Sequence, residues 1–416
     1  MLPRRHSRRL GLCVLAVIVV ASLPHVAAKG AQDPYDSPPQ LTATAILGGG
    51  VKGPNYQIAE GVRTDEYFHE FTIASTYGSF EAVGRSQLAT RIQEVAALAA
   101  LDDVSKTEVF LASAGNSVVK VGKGAAAAVT NPEATVKGLG AGVKRFGVNL
   151  GRRTERAVAS SGEGGGDGGS AAGNAANSVL GVNSAMRRWA YKVRVDPYTT
   201  NEVLRKALED IARVDAAGSI ATKVAVPIPG VVGLTSTVGD LVWSKDPEEV
   251  RKHNEAGLRA LEVPDSVAKA LFTNRWFTLT HQTRFVTALS AVNVPGVADY
   301  VQTASEAPSE RAALFFVESA EMLQQWHAGA KVSAVLTDSR ALVAKAGGGQ
   351  TRALLPLDWL PWTAATHKAL ANAATRARKE LGAVRLEIKL SGRASERAPK
   401  EIVRLGWTMV PADVKK

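Results

Sequence analysis

Trp276-Phe277-Thr278-Leu279-Thr280-His281-Gln282-Thr283 gathers two aromatics, three hydroxyls and an imidazole within eight residues. Thr280 is placed to cap a helix whose first turn carries His281, and the adjacent aromatics can wall a pocket. Imidazole changes charge close to neutral pH, so with a nearby threonine or carboxylate it would serve the acid–base chemistry of a hydrolase. Against this, capping alone accounts for Thr280, and a first-turn histidine ordinarily faces solvent.

Other chemical patterns are weaker. Ser117-Val118-Val119-Lys120 and Ser266-Val267-Ala268-Lys269 each put a lysine one helical turn from a serine. Neither has the Lys-Thr-Gly or Ser-Asp-Asn companion that completes such a site, and the elbow Gly-x-Ser-x-Gly is absent. His69-Glu70 begins like a zinc-peptidase helix, but Ile73 stands where the second histidine belongs and the stretch reads as strand. Glu318, Glu321 and His327 share one predicted helix without all facing one way. Gly164-Gly165-Gly166-Asp167 is a single copy of a calcium-turn pattern that works only in stacks. The sequence thus predicts neither a metal centre nor a cofactor.

The elements that would position these residues can be read from periodicity and caps. Phe68–Ala74 and Ser79–Val83, joined through Thr76-Tyr77-Gly78, read as a hairpin. Leu88, Ile92, Val95, Leu98 and Leu101 fall at helical intervals. Ser105-Lys106-Thr107-Glu108 matches a capping box, predicting a second helix from Lys106 towards Val119. Asn131-Pro132-Glu133 opens a third, reaching Leu150. Ser160–Asn177, rich in Gly, Ser and Ala, predicts a linker. Further helices start at Thr199-Thr200-Asn201-Glu202, at Asp246-Pro247-Glu248-Glu249, at Pro264-Asp265 and at Ser309. From Lys331 the period changes to strands at 332–336, 341–344 and 352–357. A helix at 363–381 follows, then a strand at 384–390 with Val384, Leu386, Ile388 and Leu390 on one face. A last helix (395–405) and strand (407–410) close the chain.

The class is α+β, mainly helical. The chain divides into a leader (1–28), a tether (29–40), an N-terminal hairpin and helical domain (41–158), a Gly/Ser/Ala linker (159–185), a helical domain (186–329) and a small α+β C-terminal module (330–416).

Charge points to a partner. The chain carries +11 overall, and residues 111–157 hold 8 basic and 2 acidic residues. On the helix from Pro132, the seam of Val136, Leu139, Val143, Phe146 and Leu150 runs beside Lys137, Lys144, Arg145, Arg152 and Arg153. Such a helix suits an anionic membrane surface or an acidic envelope polymer. Gly138, Gly140, Gly142 and Gly147 each cost about 1 kcal/mol against alanine, so this helix needs packing or a surface to order it. Phe146 is its only aromatic, which offers nucleic acid no stacking and argues against that partner.

The first 28 residues give an address. Arg4, Arg5, Arg8 and Arg9 precede an apolar run from Leu10 to Leu23, then Pro24 and the small residues to Ala28. That order predicts an export signal cut after Ala28, with periplasmic or secreted fate; the apolar run is short for an uncleaved anchor. The single cysteine, Cys13, lies inside this leader, so the exported chain would hold together by burial alone.

Asp196-Pro197-Tyr198-Thr199-Thr200-Asn201-Glu202-Val203-Leu204 and Asn274-Arg275-Trp276-Phe277-Thr278-Leu279-Thr280-His281-Gln282-Thr283 resemble segments of exported bacterial proteins of unknown function. The resemblance implies an envelope or secreted location and carries no activity, ligand or catalytic residue. Together these observations predict a non-catalytic exported protein that meets an anionic partner through its basic segment. The alternative is an exported hydrolase with a pocket around His281.

Overall fold

Strict alternation along Phe68–Ser75 turns His69, Phe71, Ile73 and Ser75 inward, and this strand is the spine of the first layer. The computed structural model describes residues 34–107, 169–216 and 235–411. Among the described residues, the protein is α+β with substantial helix. Outside them lie the leader (1–28), the tether as far as residue 33, the helix predicted beyond Thr107, and residues 159–168 of the predicted linker. The Ser117/Lys120 pair and the basic helix with Lys137, Lys144, Arg145, Arg152 and Arg153 also lie outside them.

The first layer is an antiparallel sheet of β1 (Leu41–Thr42), β2 (Lys52–Gly53), β3 (Tyr56–Ile58), β4 (Gly61–Asp65), β5 (Phe68–Ser75) and β6 (Gly78–Val83), with α1 (Ala43–Leu47) after β1. The predicted hairpin is β5–β6, in register from Glu70↔Val83 to Ser75↔Gly78. α2 (Arg85–Ser105) covers the sheet, and Leu88 joins Ile58, Val62, Phe71 and Ile73 in one apolar cluster. The capping box is corrected. Ser105 ends α2 instead of opening a new helix, and the Lys106 amide closes back onto Asp103.

The second layer is helical. α3 (Gly169–Lys192) covers most of the stretch whose composition predicts a linker. Ala171, Ala172, Ala175 and Ala176 are strong helix formers, and the far end of α3 is anchored by packing, so the helix propagates back through the glycines. That anchor is Trp189, Ala190 and Val193, buried with Leu98 and Leu101 of α2 and with Leu204, Leu208 and Ile211 of α4 (Glu202–Ala216).

A third core is built by α5 (Ser236–Ser244), α6 (Pro247–Ala260), α7 (Asp265–Thr273), α8 (Leu279–Ser290), α9 (Val297–Ser305) and α10 (Glu310–Gly329). Phe277, Phe285, Tyr300 and Phe316 stack through its centre, with ring centroids 5.4–6.0 Å apart at each step. The helix starts follow the sequence: Asp246-Pro247 opens α6, and the Ser309 hydroxyl accepts from the Ala312 amide at 3.1 Å. Ser266 and Lys269 are exposed on α7.

The C-terminal module follows as β7 (Val332–Asp338), β8 (Ala341–Ala346), β9 (Gln350–Leu355), β10 (Trp359–Leu360), α11 (Ala364–Glu380), β11 (Arg385–Leu390), β12 (Arg393–Ala394), α12 (Ala398–Arg404) and β13 (Trp407–Val410). Its five-stranded sheet has the order β13-β11-β9-β8-β7. β7, β8 and β9 pair antiparallel through short turns, whereas β9, β11 and β13 are parallel, each parallel step spanned by a helix as parallel pairing requires. Leu386, Ile388 and Leu390 face inward as predicted, but Val384 precedes the strand and is 80% exposed. Among the described residues no helix is long and apolar enough to cross a membrane.

Asp358 ties this module to the first sheet. Its buried carboxylate accepts the amide N–H groups of His69 (3.1 Å) and Arg85 (3.2 Å), and the Tyr67 carbonyl accepts from the Asp358 and Trp359 amides.

Candidate active site

Thr278, Thr280 and Thr283 each compete to begin the helix after Phe277, and the backbone selects Thr278. Thr278 is extended (φ −61°, ψ 163°) and its Oγ1 accepts the His281 amide at 3.2 Å, so it is the N-cap. Thr280, predicted as the cap, sits two residues inside α8. Its hydroxyl, released from capping, donates instead to Asp196 Oδ1 at 2.6 Å. Thr283 turns back to the Leu279 carbonyl.

Asp196 belongs to the loop between α3 and α4. The same Oδ1 accepts the Tyr198 amide at 2.8 Å, an Asx turn that folds the loop over itself. Burial pushes the Asp196 carboxyl up to about 6, aided by the nearby Glu94 charge; the Thr280 and Tyr198 hydrogen bonds offset this only in part. Asp196 and Thr280 line a cleft of about 100 Å³, bounded by the first half of α2, the 194–201 loop and the starts of α8 and α10. That volume admits a few waters or one small acyl group.

His281 lines the same cleft but is buried, not solvent-facing. Its Nδ1 lies 3.4 Å from the Trp276 carbonyl. A carbonyl only accepts, so Nδ1 carries the proton and Nε2 keeps its lone pair. Burial drives the imidazole pKa down to about 3, reinforced by Arg284, Arg311 and Arg91, so the ring is neutral at physiological pH. His281, Thr280 and Asp196 line the one cleft, and the hydroxyl is hydrogen-bonded to the carboxylate, not to the imidazole.

Three arginine–glutamate pairs hold this cleft. Arg91 Nη1 meets Glu94 at 2.8 Å, and Arg91 Nη2 reaches Thr200, whose hydroxyl donates to Glu310 at 2.8 Å. Glu94 also accepts from Thr199 and from Asn201 Nδ2 (2.9 Å), fixing the loop that carries Asp196. Arg284 forms a two-point contact with Glu321 (2.8 and 2.9 Å). Arg311 pairs with Glu318, whose other oxygen accepts from Ser86. Arg194, at the mouth, has a left-handed backbone (φ 57°), held by the Gln93 side chain donating to its carbonyl.

The sequence reading missed Asp196, Glu94, Arg91 and Arg284. A signal was present in α2: positions 87, 91, 94, 98 and 101 form a core-facing series whose first three members are Gln, Arg and Glu. Polar residues in a core register pack against something polar. The other predicted clusters disperse. His69 is buried with Nδ1 2.9 Å from Thr64 Oγ1, and Glu70 pairs with Arg63. Glu318 and Glu321 are spent on arginines, and His327 Nδ1 accepts the Val332 amide.

The two titrating groups give folding stability opposite dependences on acid. His281, near 3 in the folded chain against an ordinary 6.5, stabilises above pH 6.5 and loses that contribution as the pH falls towards 3. Asp196, near 6 against an ordinary 3.8, contributes fully below 3.8 and loses it as the pH rises through 6. Between pH 6.5 and 4 the two oppose each other. The two nearly cancel, so over that fall in pH Asp196→Asn should lose about 2–3 kcal/mol relative to the wild type and His281→Gln should gain about 2–3 kcal/mol. Urea unfolding at both pH values checks this; two variants that track the wild type would refute it.

No protein-family model matches this chain, nor does any curated protein or solved structure, so the cleft's own chemistry carries the functional argument.

Proposed function

We propose that the protein is an exported hydrolase of small esters in which Thr280 is the nucleophile and Asp196 the general base. The observation that carries this is the 2.6 Å hydrogen bond from the Thr280 hydroxyl to a carboxylate that titrates near 6. A carboxyl with a pKa near 6 is mostly ionised at neutral pH and still basic enough to take a hydroxyl proton. His281 is too weak a base for the role, and as a neutral ring its Nε2 can accept a hydrogen bond from water without adding charge.

The step balances within these residues. Asp196 takes the hydroxyl proton as Thr280 Oγ1 bonds to the ester carbon. The C–O bond to the alcohol then breaks, and the alcohol leaves with that proton. Water, deprotonated by Asp196, attacks the acyl-threonine; the acid departs and Thr280 recovers its proton. The Leu279 and Thr280 amides open α8 and have no intrahelical acceptors, so they can face the oxyanion.

The test is turnover of p-nitrophenyl acetate by the full chain. The wild-type rate should rise through about pH 6, and Asp196→Asn should lower it about 10²-fold or more. Thr280→Ala should remove it, whereas Thr280→Ser should keep it within about tenfold. Absence of turnover above buffer, or a Thr280→Ala variant as active as the wild type, would overturn the assignment.

The leader and the basic segment support the setting. Eight basic residues against two acidic ones at 111–157 favour retention at an anionic membrane surface or envelope polymer, a role compatible with catalysis elsewhere in the chain.

A further inference from the structure

A second, larger cavity of about 790 Å³ opens between the β4–β5 turn, the start of α10, the β7–β8 turn and α11. Its interior is apolar: Phe68 and Phe315 are half-buried in its wall, with Leu355, Leu357, Leu360 and Leu370 behind them. At the base Arg311 Nε has no hydrogen-bond partner among the described residues, while the rest of that guanidinium is engaged. Arg311 lies over the Phe68 ring at 4.5 Å and is neutralised by Glu318. Among the lip residues, Glu70 pairs with Arg63 and Asp338 with Arg376.

What remains at the mouth is uneven. Asp65 and Glu66 are exposed carboxylates without an ion-pair partner among the described residues, and Arg340 is the one such guanidinium. Glu66 is held at a left-handed φ of 51°, which fixes the turn that presents both acids. On a chain of net charge +11 this lip is a local inversion of sign. A cavity of this size, mostly apolar with a few polar groups at one end, has the form of a small-molecule site.

We propose that this chamber binds a small cationic amphiphile, an apolar chain or ring seated against Phe68 and Phe315 with an ammonium-type head beside Asp65 and Glu66. Burial of the apolar body supplies affinity, and the unpaired carboxylates select the head. The chamber adjoins the cleft through Gln87 and Glu310, but neither Thr280 nor Asp196 lines it.

Calorimetric titration with decyltrimethylammonium, below its micellar concentration and with decanoate as the anionic counterpart, tests it on the full chain. The ammonium compound should saturate at one per chain and bind at least about fivefold more tightly than decanoate. Ala369→Trp on α11 and Ala312→Trp on α10 each fill the chamber from partly exposed positions, and each should weaken binding about tenfold while thermal unfolding stays cooperative. Asp65→Asn with Glu66→Gln should narrow the preference over decanoate. Thr280→Ala should bind as the wild type does. Failure to saturate, equal affinity for decanoate, indifference to both tryptophans, or loss of binding in Thr280→Ala would overturn the proposal.

Discussion

Replacing Glu94 with leucine should destabilise the protein by about 3–5 kcal/mol, because it strands a buried charge instead of merely deleting a hydrogen bond. Glu94 is 2% exposed and Arg91 8%. One Glu94 oxygen accepts from Thr199; the other takes Arg91 and Asn201. The leucine variant leaves the Arg91 guanidinium with only the Thr200 hydroxyl at 2.8 Å and the distant Glu310 carboxylate at 3.9 Å. The comparison that isolates this cause is the double variant Glu94→Leu with Arg91→Met. Removing both charges should recover about half of the loss, so the double variant unfolds at a denaturant concentration above that of Glu94→Leu alone. If the two substitutions simply add, the pair does not act as a unit. Activity should fall in Glu94→Leu too, since the loop that Glu94 ties down carries Asp196.

This network also marks where sequence reasoning stopped. Helix starts were legible because caps are local: Asn201 Oδ1 accepts the Val203 and Leu204 amides, and all the atoms involved lie within four residues. The C-terminal strands were legible because alternation at Leu386, Ile388 and Leu390 needs only one face to be buried. Asp196 and Thr280 stand 84 residues apart, and nothing local to either says that they meet. Only Thr280 reads as a site candidate in the sequence, and its union with Asp196 depends on how α2 and α8 approach the same loop.

The cap of α8 shows a finer limit. Thr278 and Thr280 are both competent caps by type, and the choice rests on which residue has the extended backbone. That choice decides the chemistry, since the uncapped threonine is the one free to meet the carboxylate. α3 failed for a different reason. Composition at 169–185 argues for a linker, whereas the buried Trp189 downstream supplies the anchor that makes the upstream alanines count. For α3, burial at a distance overrules local composition.

Gly296→Ala should cost about 4 kcal/mol or more. Gly296 caps α9 with φ 91°, and a Cβ there would lie 2.0 Å from the Val335 carbonyl oxygen and 2.9 Å from its carbon. Those atoms are backbone of β7, held by the Val335 amide donating to the Pro295 carbonyl at 2.9 Å, so they cannot swing aside as a side chain would. Relief requires α9 to part from β7, opening the core that holds Val297, Tyr300 and Val335. Two other glycines separate the clash from backbone preference. Gly348 has φ 70° with open space around it, so alanine there should cost about 1–2 kcal/mol of left-handed strain alone. Gly347 has neither a positive φ nor a neighbour, and alanine should change stability by less than about 0.5 kcal/mol. Guanidinium unfolding of the three variants should rank them in that order. A Gly296→Ala protein as stable as Gly348→Ala would mean that α9 and β7 do not touch at this point, and the packing of the third core against the C-terminal sheet would have to be redrawn.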